Sequence, residues 1–449
     1  MPNIISIITI LFLIGACAPA PIIPPTPTIT PTEIPCAENC IRINPDRTLQ
    51  TIADIGSGNF IYQTALTTQT NEPISELNLA TLNPRFVRVR MGLEDWEPRN
   101  DNDDPNSINA DGFVDDGYNH ATFLLMQKLQ QQGVEITATI WNLPDWMVVD
   151  PAAEKSRVIA PPLYAEMIES MIAWIDHARQ AYGVEIAYVS INEPALGAYV
   201  LVPPTALINI IRAAAPRFAA ADIHAQWLIA DAHNIQATLG YAQNLLDAED
   251  IRPSLGVLAF HSWDADAPDD ALIAIADFAQ KNNLDVRCTE GGWKAFYWYT
   301  PEQFPSWENA LQISRIYSRV IKLTRATVIQ YWQMMGNDYA VNDGAQAYPA
   351  LTALKLMTTH FPAGAIIVES SANTNTIYNL AALVDDRLVM QLINTADNEA
   401  RIDVVGLPAG SYTLIQFTKA GMTTANVTAA ETFSLTLSAS SVTYLSQKP

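Results

Sequence analysis

Two glutamates in this chain stand where a carboxylate can do chemistry. Tyr188-Val189-Ser190-Ile191-Asn192-Glu193-Pro194 carries an apolar, β-branched run into Asn192 and Glu193. Val286-Arg287-Cys288-Thr289-Glu290-Gly291-Gly292-Trp293 carries a second run into Glu290. Taken singly, Asn-Glu-Pro also suits a strand running into a helix with an acid at its positive end, and Thr-Glu-Gly-Gly suits a glycine turn. Taken together they offer two carboxyl groups that separate strands can aim into one pocket. Hydrolysis of a glycosidic bond needs such a pair, one protonated and one ionised. The retaining route places the two groups roughly 5–5.5 Å apart and forms a covalent glycosyl-enzyme. On that route Glu193 is the general acid/base and Glu290 the nucleophile.

Carboxylates can meet in this way only if the scaffold brings several strand ends together. After residue 50, short β-rich runs alternate with helical stretches. The predicted strands are Thr51–Ile55, Phe86–Arg90, Ile136–Ile140, Ile186–Ile191, Trp227–Ala230, Val257–Phe260, Val286–Thr289 and Val328–Trp332. Between them, Asn119–Gln132 reads as an amphipathic helix closed by Gly133. Leu163–Tyr182 reads as a longer one, with Met167, Met171, Trp174, Ile175 and Ala178 on one face and Gly183 at its end. Eight strands alternating with helices predict a (β/α)8 TIM barrel, whose active sites form at the C-terminal strand ends. Glu193 then ends the fourth strand and Glu290 the seventh, on roughly opposite sides of the mouth.

From about residue 365 the helices give way to short alternating strands: Ile377–Leu383, Arg387–Asn394, Arg401–Val405, Ser411–Phe417, Thr432–Leu437 and Val442–Leu445. These predict an appended C-terminal β-sandwich. The domain reading is a barrel over 41–362 and a sandwich over 363–449, with 41–50 a candidate extra sandwich strand. Upstream, Ile4–Ile14 is a short apolar core, and Ile14-Gly15-Ala16-Cys17 resembles the bacterial lipobox. Residues 1–16 are therefore expected to be a lipoprotein signal peptide, although no Lys or Arg precedes the apolar core. Cys17 is the expected lipidated residue, with secretion as the alternative. Residues 17–40 form a Pro/Thr-rich tether.

The composition excludes several function classes. The 449-residue chain has 47 acidic and 25 basic residues, a net charge of -22 that repels nucleic acid and favours a neutral substrate. Hydrophobic residues make up 49% and charged residues 16%, a globular balance. Cys36 and Cys40 sit in Cys-Ala-Glu-Asn-Cys, and in an oxidising compartment they would close a small disulfide loop. Cys288 reads as a buried, inert thiol. The histidines are scattered without paired-ligand spacing, no glycine-rich phosphate loop is present, and Asp101-Asn102-Asp103-Asp104-Pro105 lacks an EF-hand pattern. No metal and no cofactor are expected.

Asn-Glu-Pro after strand four and Glu after strand seven resemble the large clan of retaining (β/α)8 glycosidases. Further segments are similar to glycoside hydrolase family 30, which includes glucosylceramidases, endo-β-1,6-glucanases and glucuronoxylanases. Gln50-Thr51-Ile52-Ala53-Asp54-Ile55-Gly56 resembles its opening strand, and Phe86-Val87-Arg88-Val89-Arg90 its second. Trp141-Asn142-Leu143-Pro144-Asp145-Trp146-Met147 resembles its third-strand segment, the most specific of these motifs. Phe260-His261-Ser262-Trp263 falls where that family has a His followed by aromatics, and Trp332 matches a tryptophan of the barrel floor. The resemblance spans roughly residues 41–447. It departs at Trp263, where a tyrosine is usual, and at Asn142, which replaces a serine; neighbouring families 5 and 39 stay open. A non-catalytic carbohydrate-binding lipoprotein is the alternative of a different class.

The resemblance implies that Arg88 reaches the nucleophile, where its charge would keep Glu290 ionised. Glu193 would hold its proton longer, and Asn192 would bond the sugar 2-hydroxyl. Trp141, Trp146, Trp263, Trp293 and Trp332, with His261, would contact sugar. No Lys or Arg occurs from Met334 to Ala350, which argues against a glucuronate-bearing substrate. The expected partner is a neutral carbohydrate, met by a monomer outside the cytoplasm.

Overall fold

A computed structural model of the chain describes residues 39–61, 71–295, 299–336, 338–430 and 432–449. Cys17 and Cys36 lie outside the described residues, while Cys40 is disulfide-bonded. The chain enters with strand β1 (Cys40–Thr51) and then alternates through the barrel strands. These are β2 (Asp54–Phe60), β3 (Phe86–Arg90), β4 (Glu135–Ile140), β5 (Ile186–Ile191), β6 (Gln226–Ala232), β7 (Leu255–His261), β8 (Val286–Gly291) and β9 (Val328–Tyr331). Every neighbouring pair is parallel and β9 closes on β2, giving a closed eight-stranded barrel. The helices are α1 (Asn71–Leu82), α2 (Leu93–Trp96), α3 (Gly117–Gln130), α4 (Tyr164–Tyr182), α5 (Pro204–Ala220), α6 (Ile235–Asp247), α7 (Asp269–Asn282), α8 (Trp307–Thr324) and α9 (Pro349–His360).

Local signals explain where the elements stop. Gly183 takes φ 67 and closes α4, donating to the Arg179 carbonyl while Val184 reaches back to Ala178. Asn234 caps α6 by accepting from the Ala237 amide at 2.8 Å, and Ser306 caps α8 through Asn309 at 3.1 Å. The first barrel strand corrects the sequence reading, which placed it at Thr51–Ile55. Thr51 instead ends β1 in the other sheet. Asp54 then receives the Gly56 amide, the Ser57 hydroxyl and the Arg85 amide, and turns the chain into the barrel. A Cβ on Gly58 would lie 2.2 Å from Met334 Cγ, so that strand needs glycine there.

The second sheet has nine strands. After the barrel come β10 (Ile366–Ala372), β11 (Ile377–Val384), β12 (Arg387–Asn394), β13 (Ala400–Val405), β14 (Gly410–Thr418), β15 (Gly421–Ala429), β16 (Thr432–Leu437) and β17 (Ser441–Gln447). Their order is β15-β14-β17-β12-β11-β10-β1-β13-β16, so the chain's entry strand completes a sheet otherwise built from its end. Ile402, Val404, Leu435 and Leu437 from one end share a core with Leu388, Met390, Leu392 and Leu445 from the middle. The sheet thus folds over itself as a sandwich. Its other face, with Val389, Ile393, Val442 and Tyr444, joins the barrel's hydrophobic cluster. Ser318 of α8 bonds Gln391 there, and Gln391 bonds the Tyr444 hydroxyl at 2.8 Å.

Near the barrel mouth the Asp101–Asn109 loop ties its own backbone: Asp104 N donates to Asn102 Oδ1 at 2.7 Å and Asn109 N to Asp101 Oδ2 at 2.6 Å. Beneath it, Glu97 and Glu169 are each 1% exposed. Burial pushes the Glu97 carboxyl up to about 7. Burial, then Glu166 and the charges of Asp101 and Glu97, push Glu169 up to about 8. Acids raised on folding contribute stability that is whole below their unfolded value near 4.5 and lost as pH climbs through 7 to 8. The melting temperature is therefore expected to fall from pH 5 to pH 8.5. Glu169→Gln should recover a few kcal/mol at pH 8 and little at pH 5, since each tenfold change in proton affinity is worth about 1.4 kcal/mol. A loss of stability equal at both pH values would show that Glu169 is not held neutral.

Candidate active site

The C-terminal ends of the barrel strands converge on Arg88. This side chain, 0% exposed at the centre of β3, serves residues from four other strands. Its Nη1 donates to Glu290 Oε1 on β8 at 2.7 Å and to Asn59 Oδ1 on β2 at 3.0 Å. Its Nη2 donates to Asn192 Oδ1, just past β5, at 2.6 Å and to Asp231 Oδ2 on β6 at 2.9 Å. Nε donates to Thr139 Oγ1 at 3.1 Å, and the guanidinium lies 4.3 Å from the Trp141 ring centroid. The planar fork of an arginine directs its donors to these acceptors in a fixed geometry, which an ammonium cannot do.

His261, at the end of β7 and fully buried, bridges the two glutamates. Nδ1 stands 3.2 Å from Glu193 Oε1 and 3.2 Å from Glu290 Oε2, while Nε2 faces Asp231 Oδ1 at 3.4 Å. Burial works against its charge, but Glu290, Asp231 and Glu193 overcome it and raise the imidazole to about 9. Asp231 is likewise buried. Burial opposes its charge too, yet Arg88, His261 and the Thr289 hydroxyl at 2.6 Å hold it well below the usual carboxylate range. The buried set is thereby balanced, with Arg88 and His261 against Asp231 and Glu290.

Burial pushes the Glu290 carboxyl up, with Glu193 adding to the rise, and His261 and Arg88 pull the other way without overcoming it. Hydrogen bonds distinguish the two carboxyl groups. Glu290 faces three donors: Arg88 Nη1, the Trp263 indole at 3.2 Å and His261. Among the described residues the Glu193 side chain has one hydrogen bond, to His261, and it is 12% exposed. Glu290 is therefore the better supplied of the two with donors to a charged carboxylate. The backbone around them is held in left-handed conformations, with Glu193 at φ 45, Ala230 at 77 and Asp231 at 47. Such strain in non-glycine residues persists where the surroundings over-determine it.

The structure brings Arg88, Asn192, Glu193, His261, Trp263 and Glu290 together. Trp141 and Trp332 stack at 6.0 Å between centroids on the floor beside them, both largely buried. Trp146 is half-buried, with its indole donating to the Glu97 carbonyl at 2.9 Å. Trp293 is half-buried with the Lys294 ammonium 4.2 Å over its ring. Asn142 is held by Arg157 at 2.7 Å, beside Asp145, and so braces its loop. Glu290 lies within β8 rather than past it. Sequence reasoning missed Asn59 and Asp231. The signal for Asp231 is a polar residue following Leu228-Ile229-Ala230, a run that by pattern ends the strand at Ala230.

Glu193, His261 and Glu290 place one ligand atom each within 4.8 Å of one another, a spacing that also suits a divalent ion. An ion there would have to displace the proton that the acids hold on the imidazole. A ligating histidine must be neutral, whereas this one is raised to about 9 and faces acids through both nitrogens.

No family model and no curated protein matches the chain by sequence. Solved structures do match by fold. A family 30 endoxylanase from Clostridium papyrosolvens C71 superposes with a TM-score of 0.70 at 16% identity, covering 91% of this chain and 100% of that one. The catalytic domain of a family 30 xylanase C from Talaromyces cellulolyticus gives 0.69 at 17% identity, over 91% and 100%. A family 39 enzyme from Xanthomonas axonopodis pv. citri gives 0.62 at 14% identity, over 94% and 99%. The barrel with its folded sheet is thus the fold of family 30 glycoside hydrolases, in agreement with the motif resemblance.

Proposed function

We propose that this chain is a retaining glycoside hydrolase that cleaves β-linked sugars of a neutral carbohydrate. The observation that carries the reading is the Glu193–Glu290 pair, whose members bring one carboxyl oxygen each within 4.8 Å of the other. Retaining enzymes hold their two carboxyl groups about 5–5.5 Å apart, while inverting ones leave room for water at roughly 6.5–9.5 Å. Glu193 protonates the leaving oxygen and Glu290 attacks the anomeric carbon. Water, deprotonated by Glu193, then releases the sugar from Glu290. Asn192, fixed by Arg88, is placed to bond the 2-hydroxyl as positive charge develops on the ring. The stacked Trp141 and Trp332 give the sugar's C–H face an apolar floor.

Solved neighbours named as xylanases support a β-glycan as substrate. The apolar and Pro/Thr-rich opening segment, with Cys17, extends the reading to an enzyme anchored outside the cytoplasm. The test is stereochemical. Proton NMR of the first product from an aryl β-glycoside should show the β-anomer before mutarotation. Release of the α-anomer, or no hydrolysis of any aryl β-glycoside, β-glucan or xylan, would overturn the proposal.

A further inference from the structure

Away from the barrel mouth, α7, α8 and the second sheet border a cavity of about 670 Å³. Its charged lining is Arg315, Arg319 and Lys322, one face of α8 at i, i+4 and i+7, with Asp266 and Asp269 beside the two arginines. The chain as a whole carries -22, yet this hollow holds three cations against two carboxylates. Arg315 pairs with Asp266 at 2.5 Å and Arg319 with Asp269 at 2.6 Å. Both carboxylates are mostly in solvent, at 70% and 67% exposure, so they screen the cavity weakly.

Lys322 is the odd charge. Among the described residues it forms no ion pair, and its hydrogen bond goes to the neutral Asn379 Oδ1 at 3.1 Å. An ammonium has three donors, and burying it without an anionic partner is unfavourable. Burial accordingly pulls Lys322 down to about 8, with Asp269 pulling the other way. The cavity's volume falls in the range that holds a small ligand. We propose that this cavity binds a small oxyanion, a carboxylate or phosphate group seated between Lys322 and Arg315.

The site touches the catalytic machinery through one turn. Arg319 holds the carbonyls of Ala265 and Ala267, just beyond Trp263, whose indole donates to Glu290. An occupant would therefore brace the turn that carries Trp263. The inference does not rest on the hydrolase reading.

Calorimetric titration of the full chain at pH 7 and fixed ionic strength tests it, with inorganic phosphate, D-glucuronate and D-glucose as probes. Saturable binding of phosphate or glucuronate is expected, and none of glucose. Whichever anion binds more tightly identifies a phosphate-borne or a sugar-borne ligand. Lys322→Met should weaken that binding about tenfold or more, and Lys355→Met on the exposed face of α9 should leave it unchanged. Raising the pH to 9.5 should weaken wild-type binding as well, because Lys322 loses its charge; this arm needs no variant. Absence of saturation by either anion, binding unchanged in a folded Lys322→Met, or binding indifferent to pH would each overturn the proposal.

Discussion

Replacing Glu290 with glycine is expected to abolish turnover of aryl β-glycosides, and added azide to restore it as the α-glycosyl azide. The loss should be on the order of 10⁴-fold or more, as when a covalent nucleophile is removed. Glycine leaves a void where the carboxylate stood, lined by donors that have each lost an acceptor: Arg88 Nη1, the Trp263 indole and His261. A small anion satisfies the same donors and attacks the same face of the sugar, so the product is inverted relative to the substrate. Glu193→Ala should behave differently on the same measurement. It should lose about 10²–10⁴-fold on substrates with poor leaving groups and little on dinitrophenyl glycosides, which depart without a proton. Its azide product should be the β-anomer, since the sugar then leaves Glu290. Equal azide products from both variants, or a Glu290→Gly enzyme as active as wild type, would remove the assignment.

That pair was legible in the sequence because each glutamate follows an apolar run, and alternation of strand and helix placed both runs at one end of a barrel. The residues that hold the pair were less legible. Asn59 lies in Asp54-Ile55-Gly56-Ser57-Gly58-Asn59-Phe60, a strand whose glycines and small polar residues have weak β propensity. It is a strand because β3 and β9 pair with it on both sides, which is a tertiary cause. Asp231 escaped for a related reason. The backbone turns left-handed at Ala230 and Asp231, and the pairing of β6 with β7 slips between Ala230 and Ala232. Non-glycine residues seldom adopt that conformation, so no local pattern announces it.

The second sheet shows the same division. Strands with a strong apolar, β-branched run, such as Arg387–Asn394, were visible with their observed bounds. Gly421-Met422-Thr423-Thr424-Ala425-Asn426-Val427-Thr428-Ala429 was not, because it is an edge strand exposed along nearly all its length. It pairs with β14 through its backbone, and its side chains carry almost no hydrophobic signal.

Asp231→Asn is the substitution expected to show most about how the site keeps its charges. The variant keeps the shape of the side chain but removes a buried anion that meets Arg88 at 2.9 Å and faces His261 at 3.4 Å. The buried set then carries one excess positive charge. His261, raised to about 9 in part by Asp231, should lose its proton at lower pH, so the basic limb of the kcat/KM profile should move toward neutrality. Turnover should fall about 10²-fold, because Arg88 also loses a partner that sets its plane against Glu290 and Asn192. Stability should fall by about 3 kcal/mol near neutral pH, within the range for breaking one side of a buried pair. The pH dependence of that stability separates a charge effect from a packing effect. A histidine raised on folding contributes stability that is whole below its unfolded value near 6.5 and lost as pH rises through 9. Wild type should therefore lose more stability than the variant between pH 6.5 and 9.5, and the two denaturation midpoints should approach each other at the alkaline end. If the variant is destabilised equally across that interval, with the basic limb unmoved, then Asp231 supports the fold without governing the proton on His261.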